Sequence, residues 1–271
     1  MFSVLMSVYH KDQPEYFHAA LASLAPQLPY VQQVVLVKDG PLGAPLEETV
    51  AAFRPVLPLH EVALPTNVGL ARALNAGLAH CRADWVFRFD ADDLCMPQRA
   101  ALQSARIRCG DIDIIGGQIE ECEPATQEVT GRRLVPCEEG AIRNFLRRRN
   151  PFNHMTVCFR RQFIEQIGGY PDIPLKEDYA LWIKAIARGA RVANLPQVLV
   201  RARAGREMIA RRGGLGYARS EIALQWMLHT HGMQSTLASV AVGAARALVF
   251  VAPTAIRRLV FQRALRNRAE A

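Results

Sequence analysis

The sequence predicts an α/β fold with a mostly parallel, Rossmann-like sheet and a helical C-terminal tail. Short apolar runs alternate with amphipathic segments of helical length through the first half of the chain. Acidic residues follow several of these runs and would lie at the carboxyl ends of the strands. In a parallel sheet, ligands bind at these strand ends. The chain has 271 residues, half of them apolar, which suits one such domain with an appendage.

The elements of the first half follow from this alternation. Strands are predicted where short apolar runs end at turn residues, and helices where apolar residues recur every three or four positions. In a helix predicted over 70–81, Leu70, Leu74 and Leu78 are expected on the buried face. The predicted strands are 2–8, 34–37, 59–62 and 84–89, and the other helices are 14–25, 47–53 and one opened by Pro97.

The second half has a more mixed pattern. Strands are predicted at 112–119 and 154–159, with one or two more within 192–203, and helices at 139–149 and 177–188. From about Gly205 the pattern becomes all helical, so we predict a main domain at 1–204 and a tail at 205–271. Residues 1–6 have no basic leader and are interpreted as part of the first strand rather than as a signal peptide.

The composition favours anionic partners without choosing among them. The formal net charge is +8, and most of the basic residues are arginine. Nucleotide phosphates, lipid headgroups and nucleic acid all suit this balance. Cys81, Cys95 and Cys158 lie in apolar stretches and are predicted to be buried free thiols, which favours a reducing compartment.

The most informative cluster contains Asp90, Asp92 and Asp93. Three carboxylates within four residues repel one another. A divalent cation such as Mn²⁺ or Mg²⁺ relieves this repulsion, because hard cations prefer oxygen ligands. The alternative is a solvated acidic turn in which Asp93 helps to cap the next helix. The position at the end of an apolar strand favours the metal site.

Other polar residues carry two interpretations each. Arg72 lies on a helix face away from the leucines, where it either binds phosphate or is an ordinary exposed arginine. Asp39 follows the second strand and either contacts a base or ribose or belongs to a simple turn. Glu177 and Asp178 begin a helix, where they act either as a general base or as favourable charges on the helix dipole.

Five segments occur together in a familiar order and spacing, namely 3–9, 39–40, 67–77, 90–93 and 177–182. Together they resemble the family 2 glycosyltransferases, and among these the bacterial exopolysaccharide transferases. The resemblance covers about residues 1–204. It implies a nucleotide-sugar-binding, A-type glycosyltransferase fold and makes residues 1–204 the catalytic domain.

On the donor side, the resemblance implies that Val8 and Tyr9 line the nucleotide pocket. It also implies that Asp39 contacts the base and that Arg72 contacts the donor nucleotide. Many relatives have two acidic residues before the turn glycine, whereas the first of them is Lys38 here. The departure affects base recognition, and a UDP-sugar is the favoured donor.

At the reaction centre, Asp90 and Asp92 match the family's aspartate-x-aspartate pair, with Ala91 between them at the donor. The resemblance implies that Asp92 touches the metal most directly and that Asp90 lies nearer the ribose. Glu177 and Asp178 match the motif that supplies the catalytic base, and Asp178 is the favoured residue.

The implied reaction is a single inverting displacement. A sugar would move from a nucleotide diphosphate sugar to a glycan or polyprenyl-linked acceptor in bacterial surface polysaccharide biosynthesis. The metal and Arg72 would stabilise charge on the leaving diphosphate, and Asp178 would take the proton of the acceptor hydroxyl. Asn153, His154 and Trp182 are assigned to the acceptor side.

The tail carries apolar stretches at 236–245 and 247–256, interrupted by Arg246. A spanning helix needs about 20 apolar residues with few charges, so the arginine argues against one. We predict an interfacial helix whose arginines reach anionic headgroups, in a cytoplasmic protein peripheral on the inner membrane. The alternative is a helical hairpin packed on the domain. The arginines concerned are Arg246, Arg257, Arg258, Arg263, Arg266 and Arg268.

Two other functions fit parts of the sequence. A sugar nucleotidyltransferase also joins a nucleotide fold to acidic metal ligands, but residues 9–13 lack the Gly-rich basic loop that usually follows its first strand. A non-catalytic basic protein would bind nucleic acid or an anionic membrane. Nucleic acid is not the expected partner, and such binding would show steep salt dependence without a metal requirement.

Overall fold

The computed structural model describes residues 1–203 and 213–252, which form one mixed sheet with helices on both faces. The described strands are β1 (Phe2–Val8), β2 (Val31–Lys38), β3 (Leu59–Ala63), β4 (Trp85–Arg88), β5 (Leu94–Cys95), β6 (Ile114–Cys122), β7 (Val129–Arg133), β8 (Cys158–Arg160) and β9 (Val192–Arg203). The described α-helices are α1 (Pro14–Ala22), α2 (Ala44–Phe53), α3 (Leu70–Leu78), α4 (Arg99–Arg108), α5 (Glu139–Leu146), α6 (Arg161–Gln166), α7 (Glu177–Ala187), α8 (Leu215–Thr230) and α9 (Thr236–Val251). The predicted fold class is confirmed.

The strand order brings the N-terminal strands side by side. Along the sheet the order is β3, β2, β1, β4, β8, β6, β9 and β5, while β7 pairs with β6. β1 is parallel to β2 and β4, and β2 is parallel to β3, whereas β8 is antiparallel to β4 and β6. Because β1, β2 and β4 are parallel, the residues that follow them meet at one edge of the sheet.

Alternating side chains of β1 enter the two halves of the core. Leu5 packs in one apolar cluster with α3, α5 and α7, while Val4 and Met6 pack in another with α1, α2 and α4. The approach of α3 is close at Gly77, where a Cβ atom would lie 2.5 Å from side-chain atoms of Leu5 and Val37. This contact seats α3 on the sheet, so the loop before it lies beside the ends of β1 and β2.

Two local expectations about helices are wrong. Leu74 and Leu78 are buried as expected, but Leu70 is 36% exposed because it is the first residue of the helix, next to the exposed loop. The helix predicted to open at Pro97 begins at Arg99. Neither difference moves the ends of the strands that carry the predicted site.

The segment 154–159 is not one strand. It forms a short 3₁₀ helix over His154–Thr156 before β8 begins at Cys158. The turn closes because Thr156 donates to the Asn153 carbonyl twice, from its N–H at 2.8 Å and from its hydroxyl at 2.7 Å. Threonine is typical of strands, but here Thr156 stabilises a turn instead.

The C-terminal part is helical, as predicted. Helices α8 and α9 pack against each other and against the domain. This arrangement matches the alternative prediction, a helical hairpin packed on the domain. The predicted boundary between residues 204 and 205, and the arginines beyond residue 252, lie outside the described residues. Among residues 1–203 and 213–252, every helix is too short or too polar to cross a bilayer.

Candidate active site

The carboxyl ends of β1, β2 and β4 bring the predicted donor-side residues to one edge. Val8 ends β1 and is fully buried, and its carbonyl accepts the N–H of Asp39 at 2.8 Å. Asp90 and the buried Ala91 follow β4 after one residue, Phe89. These residues belong to distant parts of the sequence, and the parallel pairing of the strands brings them together.

The aspartate cluster is compact. Asp90, Asp92 and Asp93 offer one carboxylate oxygen each, and these oxygens lie within 4.8 Å of one another. Asp93 is buried and accepts the Arg203 N–H at 3.1 Å, while the Arg203 guanidinium donates to the Asp92 carbonyl. Asp93 does not cap the next helix, because Gln98 is at the N-cap of α4.

The carboxylates of this cluster affect one another's protonation. Crowding by protein atoms, and then the charge of Asp90, raises the pKa of Asp92 to about 6, although its side chain is exposed. Burial and the neighbouring Asp92 raise the pKa of Asp93 well above its usual range. The site thus holds more negative charge than it stabilises alone, and hard oxygen ligands so close together fit a divalent cation.

A buried arginine lies beneath the cluster. The Arg88 side chain is 1% exposed, and its guanidinium forms an ion pair with Asp90. Its charge also acts on Asp93, Glu177 and Tyr170. A fully buried guanidinium is costly unless carboxylates balance it, so Arg88 and the acidic residues stabilise each other.

Asp12 adds another carboxylate to this edge. It lies in the loop after β1 and accepts the Tyr9 N–H at 2.9 Å. Burial raises its pKa to about 7, against the lowering effect of that hydrogen bond, and the charges of Asp92 and Asp90 raise it further. Asp12 therefore lies within range of the charges of the aspartate cluster, and Tyr9 lies in the turn that Asp12 closes.

Asp39 holds a loop by three hydrogen bonds to its carboxylate. Its oxygens accept the N–H groups of Val68 at 2.7 Å and Gly69 at 3.1 Å, and the Asn67 amide at 3.0 Å. The side chain is 3% exposed, so its main contacts are within the protein. The predicted contact with a nucleotide base stays a prediction, and the observed role is to hold the loop that leads into α3.

Lys38 and Arg72 each have acidic partners. Lys38 forms ion pairs with Glu47 at 3.0 Å and Glu61 at 3.1 Å, so its charge is compensated on the outer side of the strand end. Arg72 donates to Asp172 at 2.6 and 2.9 Å, and both side chains are exposed. An exposed pair is weak, so the Arg72 guanidinium is accessible to an incoming phosphate.

The predicted base is held at the start of α7. Asp178 accepts the Asn150 amide at 2.6 Å and its neighbour's N–H, that of Tyr179, at 2.7 Å. The side-chain oxygen of Asn150, Oδ1, accepts the Phe152 N–H at 3.1 Å, and this bond fixes the orientation of the side-chain amide. Burial and then Asp178 raise the pKa of Glu177 to about 7. The two carboxylates therefore differ. The Asp178 carboxylate accepts two hydrogen bonds, whereas the raised pKa of Glu177 favours its protonated form near neutral pH.

The predicted acceptor-side residues are mostly covered. Asn153 is fully buried and donates to the Gly117 carbonyl at 2.8 Å, and Trp182 is fully buried beside His154. The His154 ring contacts the Tyr170 hydroxyl at 3.0 Å, and burial and the Arg88 charge lower its pKa well below the usual range. Asn153 and Trp182 thus support the site from beneath in this conformation, and their assignment to acceptor contact remains untested.

Four residues near the site were missed by the sequence reasoning, namely Asp12, Arg88, Asn150 and Tyr170. A signal existed only for Arg88, because a charged residue inside an apolar strand two positions before an aspartate needs a buried partner. The others lie in loops, where the sequence does not tell which strand end they approach.

Known proteins resemble this chain over most of its length. Residues 3–167 match the family described as Glycosyl transferase family 2. The chain is 42% identical to an uncharacterised glycosyltransferase of Haemophilus influenzae, over 98% of the chain and 99% of that protein. It is 39% identical to the amylovoran biosynthesis glycosyltransferase AmsE of Erwinia amylovora, over 83% and 84%. It is 34% identical to the Escherichia coli UDP-Gal:alpha-D-GlcNAc-diphosphoundecaprenol beta-1,3-galactosyltransferase, over 98% and 97%.

Solved structures share the fold. S. aureus TarS 1–349 in complex with UDP-GlcNAc has a TM-score of 0.66 at 19% identity, over 84% of this chain and 66% of that one. The mannosyltransferase PcManGT from Pyrobaculum calidifontis, in complex with GDP-Man and Mn²⁺, has a TM-score of 0.63 at 18% identity, over 97% and 79%. The A-type glycosyltransferase fold expected from the sequence is confirmed.

The raised pKa of Asp12 can be tested by protein unfolding, without any ligand. Ordinary aspartate ionises near pH 4, whereas Asp12 holds its proton to about pH 7 in the folded protein. The folded state therefore loses a stabilising contribution as the pH rises through this range. In Asp12→Asn, which lacks that loss, we expect little change in the free energy of unfolding near pH 4 and a gain of up to roughly 4 kcal/mol near pH 8.

Urea unfolding in the presence of a chelator measures this difference. Glu15→Gln, which removes an exposed negative charge on the adjacent helix, is the control and should change little at either pH. An equal effect of Asp12→Asn at both pH values would show that burial and the nearby carboxylates do not raise the pKa of Asp12.

Proposed function

The chain belongs to glycosyl transferase family 2, and we propose that it is a metal-dependent, inverting glycosyltransferase that uses a nucleotide diphosphate sugar. The observation that carries this proposal is the cluster of Asp90, Asp92 and Asp93 at the end of β4, with oxygens within 4.8 Å of one another. Mn²⁺ and Mg²⁺ are the cations whose preferred ligands these oxygens match.

A UDP-sugar is the proposed donor. One relative's name specifies UDP-Gal, and one structural neighbour was solved with UDP-GlcNAc. In this chain, the nucleotide would lie along the ends of β1 and β2, near Tyr9 and the loop held by Asp39. Arg72, whose exposed pair with Asp172 is easily exchanged, would bind the diphosphate.

In the proposed mechanism, the aspartate cluster and Arg72 act on the leaving group, and Asp178 acts on the acceptor. A bound divalent cation supplies positive charge against the leaving diphosphate. Asp92 and Asp90 would hold that cation, and Arg72 would add a second positive charge on the donor. Asp178, oriented by Asn150, would take the proton of the acceptor hydroxyl as it attacks the opposite face of the sugar.

Metal dependence has a direct test. We expect Asp92→Asn to reduce UDP release from a panel of UDP-hexoses by roughly a hundredfold or more, because a principal charge-stabilising element is lost. A chelator should have the same effect on the wild type, and added Mn²⁺ should reverse it. Asp111→Asn, a 91% exposed site remote from the cluster, is the matched control. Full activity of Asp92→Asn or in excess chelator would refute the metal site.

The choice of base has a second test. Asp178→Asn keeps the shape of the side chain but cannot accept a proton, so turnover should fall roughly 10²–10⁴-fold while UDP binding is unchanged. Glu177→Gln should be less damaging, because Asp178 is the carboxylate that the Asn150 amide orients. Steady-state kinetics and calorimetric titration with UDP and Mn²⁺ measure the two quantities. If only Glu177→Gln is inactive, Glu177 is the base.

The acceptor is proposed to be a glycan carried on a polyprenyl diphosphate, in bacterial surface polysaccharide biosynthesis. The names of two relatives support this, one in amylovoran biosynthesis and one acting on a diphosphoundecaprenol-linked sugar. A lipid-linked acceptor lies at a membrane surface, so we propose that the protein works peripherally on the cytoplasmic side of the inner membrane.

One sequence-based reason for this location is wrong. Arg246 does not point to headgroups, because it binds the buried carboxylate of Glu221 at 2.9 Å and donates to the Arg148 carbonyl. The reason is that Glu221 is 1% exposed and needs a cationic partner inside the protein. Attraction to lipid must therefore come from other residues of the tail.

Helix α9 instead exposes an apolar stripe. Leu237 is 81% exposed, Val240 61% and Leu248 68%, and they recur at helical spacing on one face. The exposed residues on this face are Leu237, Val240, Ala241, Ala244, Leu248 and Val251. Such a stripe suits the apolar boundary of a bilayer, and the five arginines of residues 253–271 follow it in the sequence.

Membrane binding through this stripe has a point-variant test. Leu237→Ser with Leu248→Ser should weaken binding to phosphatidylglycerol vesicles by more than about tenfold, since each leucine contributes roughly 1.5–3 kcal/mol when buried. Val129→Ser with Leu134→Ser removes two exposed apolar side chains from the domain and is the matched control. Equal vesicle binding by all proteins in a flotation assay would rule out the stripe, and a dimer in the wild type alone would assign it to a second copy.

A further inference from the structure

Glu221 is a buried acid that links the C-terminal hairpin to the domain. Its side chain is 1% exposed, and it pairs with Lys176 at 3.1 Å and with Arg246 at 2.9 Å. Gln225 adds a hydrogen bond at 2.9 Å. Burial alone would raise the pKa of Glu221, but the two cations hold it below the usual range, so the group is ionised. A buried, ionised acid with two cationic partners specifies one relative position of the parts that it joins.

One arm of this network ends next to the proposed base. Lys176 is the residue before α7, whose first two residues are Glu177 and Asp178. The Lys176 ammonium also lies 5.5 Å from the centre of the Phe250 ring on α9. The helix start that carries the two carboxylates is therefore tied to both helices of the hairpin.

The other arm reaches Asp178 from the opposite side. Arg246 donates to the Arg148 carbonyl, and Gln234, in the turn of the hairpin, donates to the Arg147 carbonyl. The chain then continues to Asn150, whose amide donates to Asp178 at 2.6 Å. The hairpin thus fixes the loop that presents Asn150, and Asn150 orients the carboxylate of Asp178.

We propose that Glu221 and Arg246 are positioning residues for Asp178, and that the C-terminal hairpin is part of the catalytic unit. Neither residue touches the aspartate cluster in the described structure, so their effect is on the base and not on the cation or the nucleotide. The inference rests on the proposed role of Asp178 as base.

The test compares the full-length chain with single variants. Glu221→Gln keeps the size of the side chain but removes the charge that holds Lys176 and Arg246. We expect kcat for UDP release to fall roughly tenfold to a hundredfold, because small displacements of a catalytic group have effects of this size. The KM for the UDP-hexose and the affinity for UDP with Mn²⁺ should stay within about threefold, since the donor side is not displaced.

Arg246→Met and Arg246→Lys extend the test, because Arg246 is 35% exposed and Lys176 still pairs with Glu221 in both variants. Arg246→Met should reproduce the fall in kcat. Arg246→Lys keeps a cation beside Glu221, so it should recover part of the activity. If Glu221→Gln is insoluble, this pair of variants decides the question.

Asp113→Asn is the matched control. Asp113 is a nearly buried acid that also joins two arginines, Arg160 at 3.3 Å and Arg191 at 3.2 Å. It lies near the start of β4, because Arg160 pairs with Trp85, and so at the edge of the sheet opposite the aspartate cluster. We expect both Asp113→Asn and Glu221→Gln to lower the melting temperature, while kcat stays near wild type in Asp113→Asn alone.

Two outcomes would overturn the inference. One is a kcat within threefold of wild type in the folded Glu221→Gln or Arg246→Met variant, and the other is an equal loss of kcat in Asp113→Asn. If Asp178→Asn is inactive in the same assay, the proposed base survives either outcome. If Asp178→Asn is active, the proposed base itself is wrong and the positioning role fails with it.

Discussion

The burial of the Arg88 charge is the constraint around which this site is organised. A guanidinium that is 1% exposed at the end of β4 requires nearby negative charge, and Asp90 provides it directly. The same charge acts on Glu177 and lowers the pKa of His154, whose ring lies beside Trp182. The aspartate cluster and the start of α7 are therefore arranged about one buried cation.

Arg88 balances only part of the negative charge, and the remainder explains the electrostatics of the site. Burial and neighbouring carboxylates raise the pKa of Asp12 to about 7, of Asp92 to about 6 and of Glu177 to about 7. Each of these groups ionises more easily when further positive charge is present. A divalent cation, bound as proposed at Asp90 and Asp92, would supply that charge, so cation binding and the charge state of the site would be coupled.

The sequence predicts the fold well because periodicity is a local property, and the strand ends follow from it. It also brings out Asp90 and Asp92, whose spacing is itself local. It fails for residues whose role depends on distant partners: the Arg203 N–H binds Asp93 across 110 positions, and Arg246 donates to a carbonyl 98 positions away. Burial is also hard to read from a motif, since Trp182 is fully buried although its motif lies near the site.

The hairpin of α8 and α9 buries the ion pair of Glu221 and Arg246 beside core residues such as Leu224, and it exposes an apolar stripe on α9. The inner face holds Glu221 and Arg246 against the loop and helix that carry Asp178. The outer face presents Leu237, Val240 and Leu248 to the surroundings. Because both faces belong to the same helices, removal of the tail would disturb the proposed base and the proposed membrane contact together. Only substitutions confined to one face separate the two roles, so an inactive truncated chain would not by itself identify a membrane anchor.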